Sequence, residues 1–243
     1  MSEEISVQGG KVIAVGMVVA SLIFSIFFYA SRVANPGELS VTGSARMRVT
    51  SDTVKWTVQL SRLVDASGLQ RAYADLEKDQ KEVQSVLVNH SIPSNIIETS
   101  QVFTEQDYSY NTYDANAPRR YTVRQTVTVQ SGDIENVTEV AKNIQTLVSV
   151  GSVVSTYSLE YLYSKLPELR VNLLSDAVKD AKTRAEKIAE SSGSRVGALH
   201  AASQGVVQVM APNSVEVADY GAYDTSSIEK EVMATVRASF GVK

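Results

Sequence analysis

The 243-residue chain contains no cysteine. Disulfides, thiolate metal centres and cysteine nucleophiles are therefore excluded together, while the compartment is left open. Histidine is nearly missing too, with only His90 and His200. His90 is expected at a helix end, where a capping role suits the dipole, and His200 inside an apolar strand as a partly buried, hydrogen-bonded residue. Neither supports a metal site, and no metal or cofactor is expected. No surplus of positive charge exists, since 23 Lys and Arg face 27 Asp and Glu for a formal charge of -4. Nucleic-acid binders carry a basic stripe or surplus, so that class is disfavoured. Phosphate-cradling, dinucleotide, nucleophile-elbow and zinc-protease motifs are all missing from the sequence. The chain is accordingly expected to be non-enzymatic.

Long apolar runs are scarce as well, with a single exception. Val12 to Ala30 reads VIAVGMVVASLIFSIFFYA without one charge, and nineteen helical residues reach about 28 Å, the thickness of a bilayer's hydrocarbon core. A removable signal would begin with positive charge and end on small residues, whereas Glu3 and Glu4 outweigh Lys11 and Arg32 follows Ala30. The expectation is an uncleaved anchor: residues 1–11 a cytoplasmic tail, 12–30 a transmembrane helix, 31–37 a linker with Asn35-Pro36-Gly37 turn chemistry, and 38–243 an extramembrane portion. Lys11 and Arg32 flank the run with one positive charge each, and N-terminus-in follows the habit of short N-terminal tails. Gly16 and Ala20, and Ser21 and Ser25, are spaced four apart, the small-residue pattern that lets two spanning helices approach. Small residues are also common in any spanning helix.

Glu3, Glu4, Lys11 and Arg32 cancel, so the outer portion carries the whole charge of -4. Its first stretch, LSVTGSARMRV, then Thr50-Ser51-Asp52, then TVKWTVQLSRLV, reads as two strands of a hairpin, with Trp56 in the core. Ser67 opens a helix with Gln70 as capping-box partner, and Leu69, Ala72, Leu76, Val83, Val86 and Leu87 form an apolar stripe interrupted at Asp79 and Gln80. Ile96 to about Phe103 is a strand. Asp107 to Arg120 (DYSYNTYDANAPRR) is a long hairpin tip, followed by a strand with Tyr121, Val123, Gln125, Val127 and Val129 on one face. Asp133 caps a second helix that is expected to stop at Gly151. Val153 to Tyr163 is a strand with Val153, Tyr157, Leu159, Tyr161 and Tyr163 on one side.

Pro167 suits the first turn of a third helix, whose Leu169, Leu173, Ala177, Ala181, Ala185 and Ile188 imply close packing on a neighbour, and Gly193 ends it. Arg195 to Gln204 is a strand, Ala211 to Ser227 a loop, and Val232 to Val242 a closing strand that alternates cleanly. From Thr53 the order is strand, helix, strand, strand, helix, strand, the ferredoxin-like split pattern. The fold class is α+β, an antiparallel sheet with helices packed on one face and an added helix and strands, with no visible domain boundary.

Three blocks carry a resemblance: LSVTGSARMRVTSDTVKWTVQLS, RRYTVRQTVTVQSGDIENVTEV after the tyrosine-rich segment, and LLSDAVKDAKTRAEKIAESSGSRVGALHAASQ. Together, over about Leu39 to Val242, they resemble the SIMPL domain family, also called DUF541. The resemblance implies a secreted or membrane-attached bacterial envelope protein, of a family in which some members are linked to tolerance of oxidative stress and some assemble into large homo-oligomers. It supplies no catalytic residues. The uncleaved anchor departs from members with a removable signal and favours assembly at the plasma-membrane surface, on the periplasmic or extracellular side.

Two loops are candidates for contact. Tyr108, Tyr110, Tyr113, Arg119, Arg120 and Tyr121 are the residue types that anchor interfaces, though they also suit a solvated hairpin. Changing Tyr110 and Arg119 is expected to weaken an assembly that uses them. Ala218 to Asp224 sets Asp219 and Asp224 beside Tyr220 and Tyr223, but the spacing does not match an EF-hand loop and a plain surface loop is expected. The expected partners are the chain itself, a bilayer through residues 12–30, and an envelope protein. The expected function is a scaffold forming a ring or cage, against the alternative of an envelope module that binds a small molecule or partner.

Overall fold

The computed structural model describes residues 15–29, 37–108, 119–214 and 220–243. The first helix, α1, covers residues 15–29 with every side chain exposed, and Phe24 stacks on Phe28 with ring centroids 6.4 Å apart. Among the described residues no helix is long and apolar enough to cross a membrane. The spanning helix expected over 12–30 is thus seen as a helix over 15–29 alone, about 22 Å long. Residues 12–14 and 30 lie outside the described residues.

Two compact units make up the chain, each assembled from separated segments. No boundary was visible in the sequence because β1 (Glu38–Thr50), α4 (Leu166–Ser191) and β9 (Glu229–Val242) each contribute to both units.

The larger unit, Arg46–Leu173 with Val206–Met233, holds the ferredoxin-like core. Its chain order is β2 (Thr53–Asp65), α2 (Leu69–Asn89), β3 (Ile97–Thr99), β4 (Phe103–Asp107), β5 (Arg120–Ser131), α3 (Ile134–Leu147) and β6 (Val153–Leu162). The sheet order is β3-β5-β2-β6, with β4 beside β5, and β2 pairs antiparallel with both β5 and β6. Counting β3 and β4 as one broken strand, this is the split-βαβ order expected from the sequence. Inward residues of β2 (Val54, Trp56, Val58, Leu60) and β5 (Val123, Val127, Val129) pack under Ala72, Leu76, Val83 and Leu87 of α2 and Val137, Val140 and Ile144 of α3. Trp56 is fully buried and donates its indole N–H to Thr156 Oγ1 at 3.2 Å.

Several local expectations are corrected. β1 and β2 do not form a hairpin: β1 belongs to the sheet with β9, and β2 to the five-stranded sheet. The connection is held instead by Ser51 N–H on Ile228 O and Asp52 N–H on Leu162 O. Ser67 is not the cap of α2. A short turn over Ala66–Gly68 precedes the helix, and Asp65 accepts from Gly68 N–H and from the Ser67 hydroxyl. The strand from Ile96 is broken at Ser100–Val102, where Ser100 Oγ accepts from Thr126 N–H. Helix α3 is capped by Asp133 as expected but ends at Leu147 rather than Gly151. In β6 the register against β2 slips at Tyr157, which leaves that ring 71 % exposed while Tyr161 stays buried.

In the smaller unit, Leu174–Ser191 of α4 and β7 (Val196–Gln204) join Glu38–Ala45 of β1 and Ala234–Val242 of β9. The short β8 (Gln208–Met210) pairs with Glu231–Met233 of β9 in the larger unit. Ala177, Ala181 and Ala185 of α4 pack on Val236, Ala238 and Phe240 of β9 and on Leu39, Val41 and Ala45 of β1. The stripe continues to Ala189, which is buried, and Ile188 is exposed, contrary to expectation. A strict repeat of four drifts about 40° per step on a helix of 3.6 residues per turn, which carries the stripe past Ile188. Gly193 ends α4 with a positive φ of 73°.

Candidate functional site

Buried chemistry in the larger unit centres on Asp79, the interruption in the apolar stripe of α2. Its Oδ2 accepts from Arg62 Nε at 3.0 Å and from Arg62 Nη2 at 2.5 Å, and the Ser152 hydroxyl donates to the same oxygen. Arg62 also lies 3.7 Å from Asp75. Arg62 can reach this position because Gly151 has no side chain, since a Cβ there would sit 2.6 Å from Arg62 Nη2. Burial opposes ionisation of Asp79, but the hydrogen bonds from Ser152 and Arg62 outweigh it and hold the carboxyl below its ordinary range. A carboxylate whose lone pairs are occupied by a guanidinium and a hydroxyl is a poor base. This cluster ties β2, α2 and the segment before β6 together. Gln80, the neighbouring interruption, donates to Thr99 Oγ1 on β3 at 3.2 Å.

Lys230 is a second buried charge. Its Nζ donates to the carbonyls of Asp224 and Ser227 at 2.6 and 2.7 Å, and lies 3.9 Å from the Asp224 carboxylate. Burial lowers its pKa, with Asp224 pulling the other way. The Asp224 carboxylate accepts from the hydroxyls of Ser226 and Ser227. It is a turn-former, and Asp219 lies outside the described residues. Tyr220 is 98 % exposed and Tyr223 partly so. Among the described residues no group of three or more acidic or histidine side chains could hold a metal ion.

His90 sits at the C-cap of α2 with Nδ1 2.9 Å from Val86 O, as a helix-end residue should. His200 is corrected: it lies on the exposed β7, its ring against Gly241. The grooves of about 430 Å³ beside α2 and about 360 Å³ between the end of α2 and α3 are open.

β4 and β5 pair down to Asp107 opposite Arg120, and residues 109–118 of the expected tip lie outside the described residues. Tyr110 and Tyr113 lie outside the described residues. Tyr108 is 72 % exposed and Arg119 is exposed, while Arg120 is half-buried. Tyr121 pairs with Val64, on the helix-facing side of the sheet, and is half-buried. Sequence reading missed the residues beside this hairpin. Arg124 caps Phe103 at 4.8 Å from the ring centroid and ion-pairs with Glu105 at 2.8 Å. Phe103, Leu63 and Val153 are all more than half exposed and fall on neighbouring rungs of the sheet face opposite the helices. The available signal was phase: Leu63 falls out of step with Val58 and Leu60.

On α1, Gly16, Ala20, Ser21 and Ser25 are exposed, and nothing lies within 4 Å of where a Gly16 Cβ would stand. Ser21 donates its hydroxyl to Val18 O within the helix.

No curated protein matches the chain in sequence. Among solved structures, the ligand-free regulatory subunit of aspartate kinase from Thermus thermophilus is similar at 12% identity, covering 80% of this chain and 87% of that one. Its TM-score is 0.17, too low to bear on fold or function. The family model described as SIMPL, a protein of unknown function (DUF541), matches residues 39–240, and the chain belongs to that family.

Proposed function

We propose that this chain is a non-enzymatic scaffold, tethered to the plasma membrane by its apolar N-terminal run, whose SIMPL domain self-associates on the outer side. The observation that carries the reading is the three-stranded sheet of the smaller unit, which ends on strand edges at β1 and β7. A strand edge presents unpaired donors and acceptors and is a ready template for another strand. Tethering confines copies to two dimensions and raises their effective concentration, so weak lateral contacts suffice. Asp79 is occupied by Arg62 and Ser152, and Lys230 by the carbonyls of Asp224 and Ser227, which favours a structural reading of both. Tolerance of oxidative stress follows in this reading from an intact envelope assembly. Full-length protein in mild detergent is expected to have the mass of one discrete oligomer by light scattering. A clean monomer at micromolar concentration would overturn the reading.

A second reading, docking of another envelope protein, is favoured by the Phe103 surface. An exposed aromatic ring beside an arginine is the kind of side-chain pair that anchors protein contacts. Phe103→Ser is expected to abolish capture of a partner by immobilised full-length protein while leaving its oligomeric mass unchanged. Undiminished capture of the same partner would exclude this surface.

A further inference from the structure

The open groove between the end of α2 and α3 has a one-sided hydrogen-bonding character. His90 and Ser91 form one wall, and Asn136, Glu139, Asn143 and Thr146 form the other, along a single face of α3. Four of these side chains already donate to main-chain carbonyls. His90 Nδ1 lies 2.9 Å from Val86 O, Asn136 Nδ2 3.0 Å from His90 O, Asn143 Nδ2 3.0 Å from Glu139 O, and Thr146 Oγ1 2.8 Å from Asn143 O. A carbonyl oxygen only accepts, so each contact fixes which end of the side chain is the donor. The ends left over are acceptors: Oδ1 of both asparagines, the lone pairs of the Thr146 hydroxyl, and Nε2 of a neutral His90 ring. The Glu139 carboxylate adds the one full negative charge on the lining, and it has no ion-pair partner among the described residues.

The helices act in the same sense. α2 ends at Asn89 and α3 at Leu147, and neither carries a basic residue in its last turn. The last carbonyls of a helix hold partial negative charge that a Lys or Arg commonly balances. Both ends border the groove, through His90 and Ser91 after α2 and through Thr146 and Leu147 of α3, and Lys142 is not among the residues that line it. Ser91 closes α2 with a positive φ of 63°, a place usually taken by glycine. A glycine would end the helix at lower cost and leave the groove without that hydroxyl.

Spacing narrows the ligand. Asn136, Glu139, Asn143 and Thr146 follow at three, four and three residues, so the acceptors rise along α3 in steps of about 4.5, 6 and 4.5 Å. Val140 and Leu147, buried and half-buried, supply apolar surface beside the row. A matching ligand carries cationic donors joined by apolar links of that length, as ammonium groups three or four methylenes apart do. A metal ion is a single compact charge, and no three acidic or histidine side chains converge among the described residues. An anion would meet only acceptors.

We infer that this groove binds a linear polyamine, with its ammonium groups on the Glu139 carboxylate and the asparagine Oδ1 atoms and its methylenes over Val140 and Leu147. The site lies wholly in the larger unit, so the inference stands whether or not copies self-associate.

Titration calorimetry of the full-length protein in mild detergent tests it, with spermidine as the probe. Magnesium chloride and n-butylamine serve as probes of bare charge and of a single ammonium group. Spermidine is expected to saturate one site and to bind more tightly than either. Glu139→Gln removes the charge and keeps the shape, and is expected to weaken spermidine about tenfold, the loss of one charge-assisted hydrogen bond. Glu168→Gln, at an exposed carboxylate of α4, should leave binding unchanged. Affinity for magnesium or butylamine equal to that for spermidine would overturn the inference, since diffuse attraction to an acidic protein would then suffice. Spermidine binding that Glu139→Gln leaves intact, or no saturable binding at millimolar ligand, would overturn it too. A spermidine derivative carrying a photoreactive aryl azide keeps the test open should Glu139→Gln fail to fold. Its cross-links to the wild type are expected in peptides holding α3 or His90, and labelling confined to other segments would overturn the site.

Discussion

At the scale of single residues, the clearest dependence is on Asp79. A carboxylate that is almost buried, with both Arg62 and Ser152 on one oxygen, leaves the guanidinium with only the more distant Asp75 at 3.7 Å if it is neutralised. Asp79→Asn is expected to cost about 2 to 3 kcal/mol at neutral pH, read from denaturant unfolding. Because the folded-state pKa lies below the unfolded one, the carboxylate's contribution is complete above the unfolded pKa and is lost as pH falls through the folded value. The stability gap between wild type and Asp79→Asn should therefore narrow below about pH 4, and a gap that widens on acidification would contradict the assignment. Asp52, Asp180 and Asp224 are shifted in the same direction, so the variant should keep an acid-sensitive limb of smaller slope. Burial lowers the pKa of Lys230, so its contribution has the opposite slope to that of an ordinary ion pair, with stability rising as pH climbs from its folded pKa towards the ordinary lysine value.

At the scale of elements, the smaller unit depends on how closely β1 approaches α4. A Cβ on Gly43 would stand 2.2 Å from Ala177 O and 2.4 Å from Ala181 N, and helix backbone cannot yield as a flexible side chain does. Gly43→Ala is expected to destabilise by roughly 3 kcal/mol through overpacking, seen as a lower thermal midpoint. An unchanged midpoint would mean that the helix does not seat on the strand at this depth. The alanine repeat announced this contact in the sequence. The residue that meets it did not, because a glycine within a strand pattern is equally compatible with a bulge. Other elements were legible in proportion to how local their causes are. The Asp133 cap, Pro167 in the first turn of α4 and the glycine after it depend on neighbours within a few positions, and each is where the sequence puts it. The β1–β2 hairpin was misread because strand partners are chosen by the whole sheet. A short turn-rich link serves equally well to carry the chain between sheets. Tyr157 defeated the alternation rule through a one-residue bulge that no composition signals. Asp79 and Gln80 were visible as interruptions, but their partners on β2, β3 and the segment before β6 were not.

At the scale of the whole molecule, the proposed scaffold rests on the apolar N-terminal run and on the outer strands β1 and β7 of the smaller unit's sheet. Of the contact residues read from the sequence, Tyr108 and Arg119 are exposed and Arg120 and Tyr121 half-buried, while Phe103, which the sequence did not single out, is exposed beside the half-buried Arg124. Hot spots of that kind depend on exposure, which only the fold decides. The most direct measurement is the mass, by light scattering with the micelle subtracted, of the full-length protein beside a chain that starts at Pro36. The account predicts one discrete oligomer for the full-length protein, and the same oligomer at higher concentration for the shortened chain, because the joining edges lie after Pro36 while the effective concentration comes from the membrane. Monomers in both cases would contradict it.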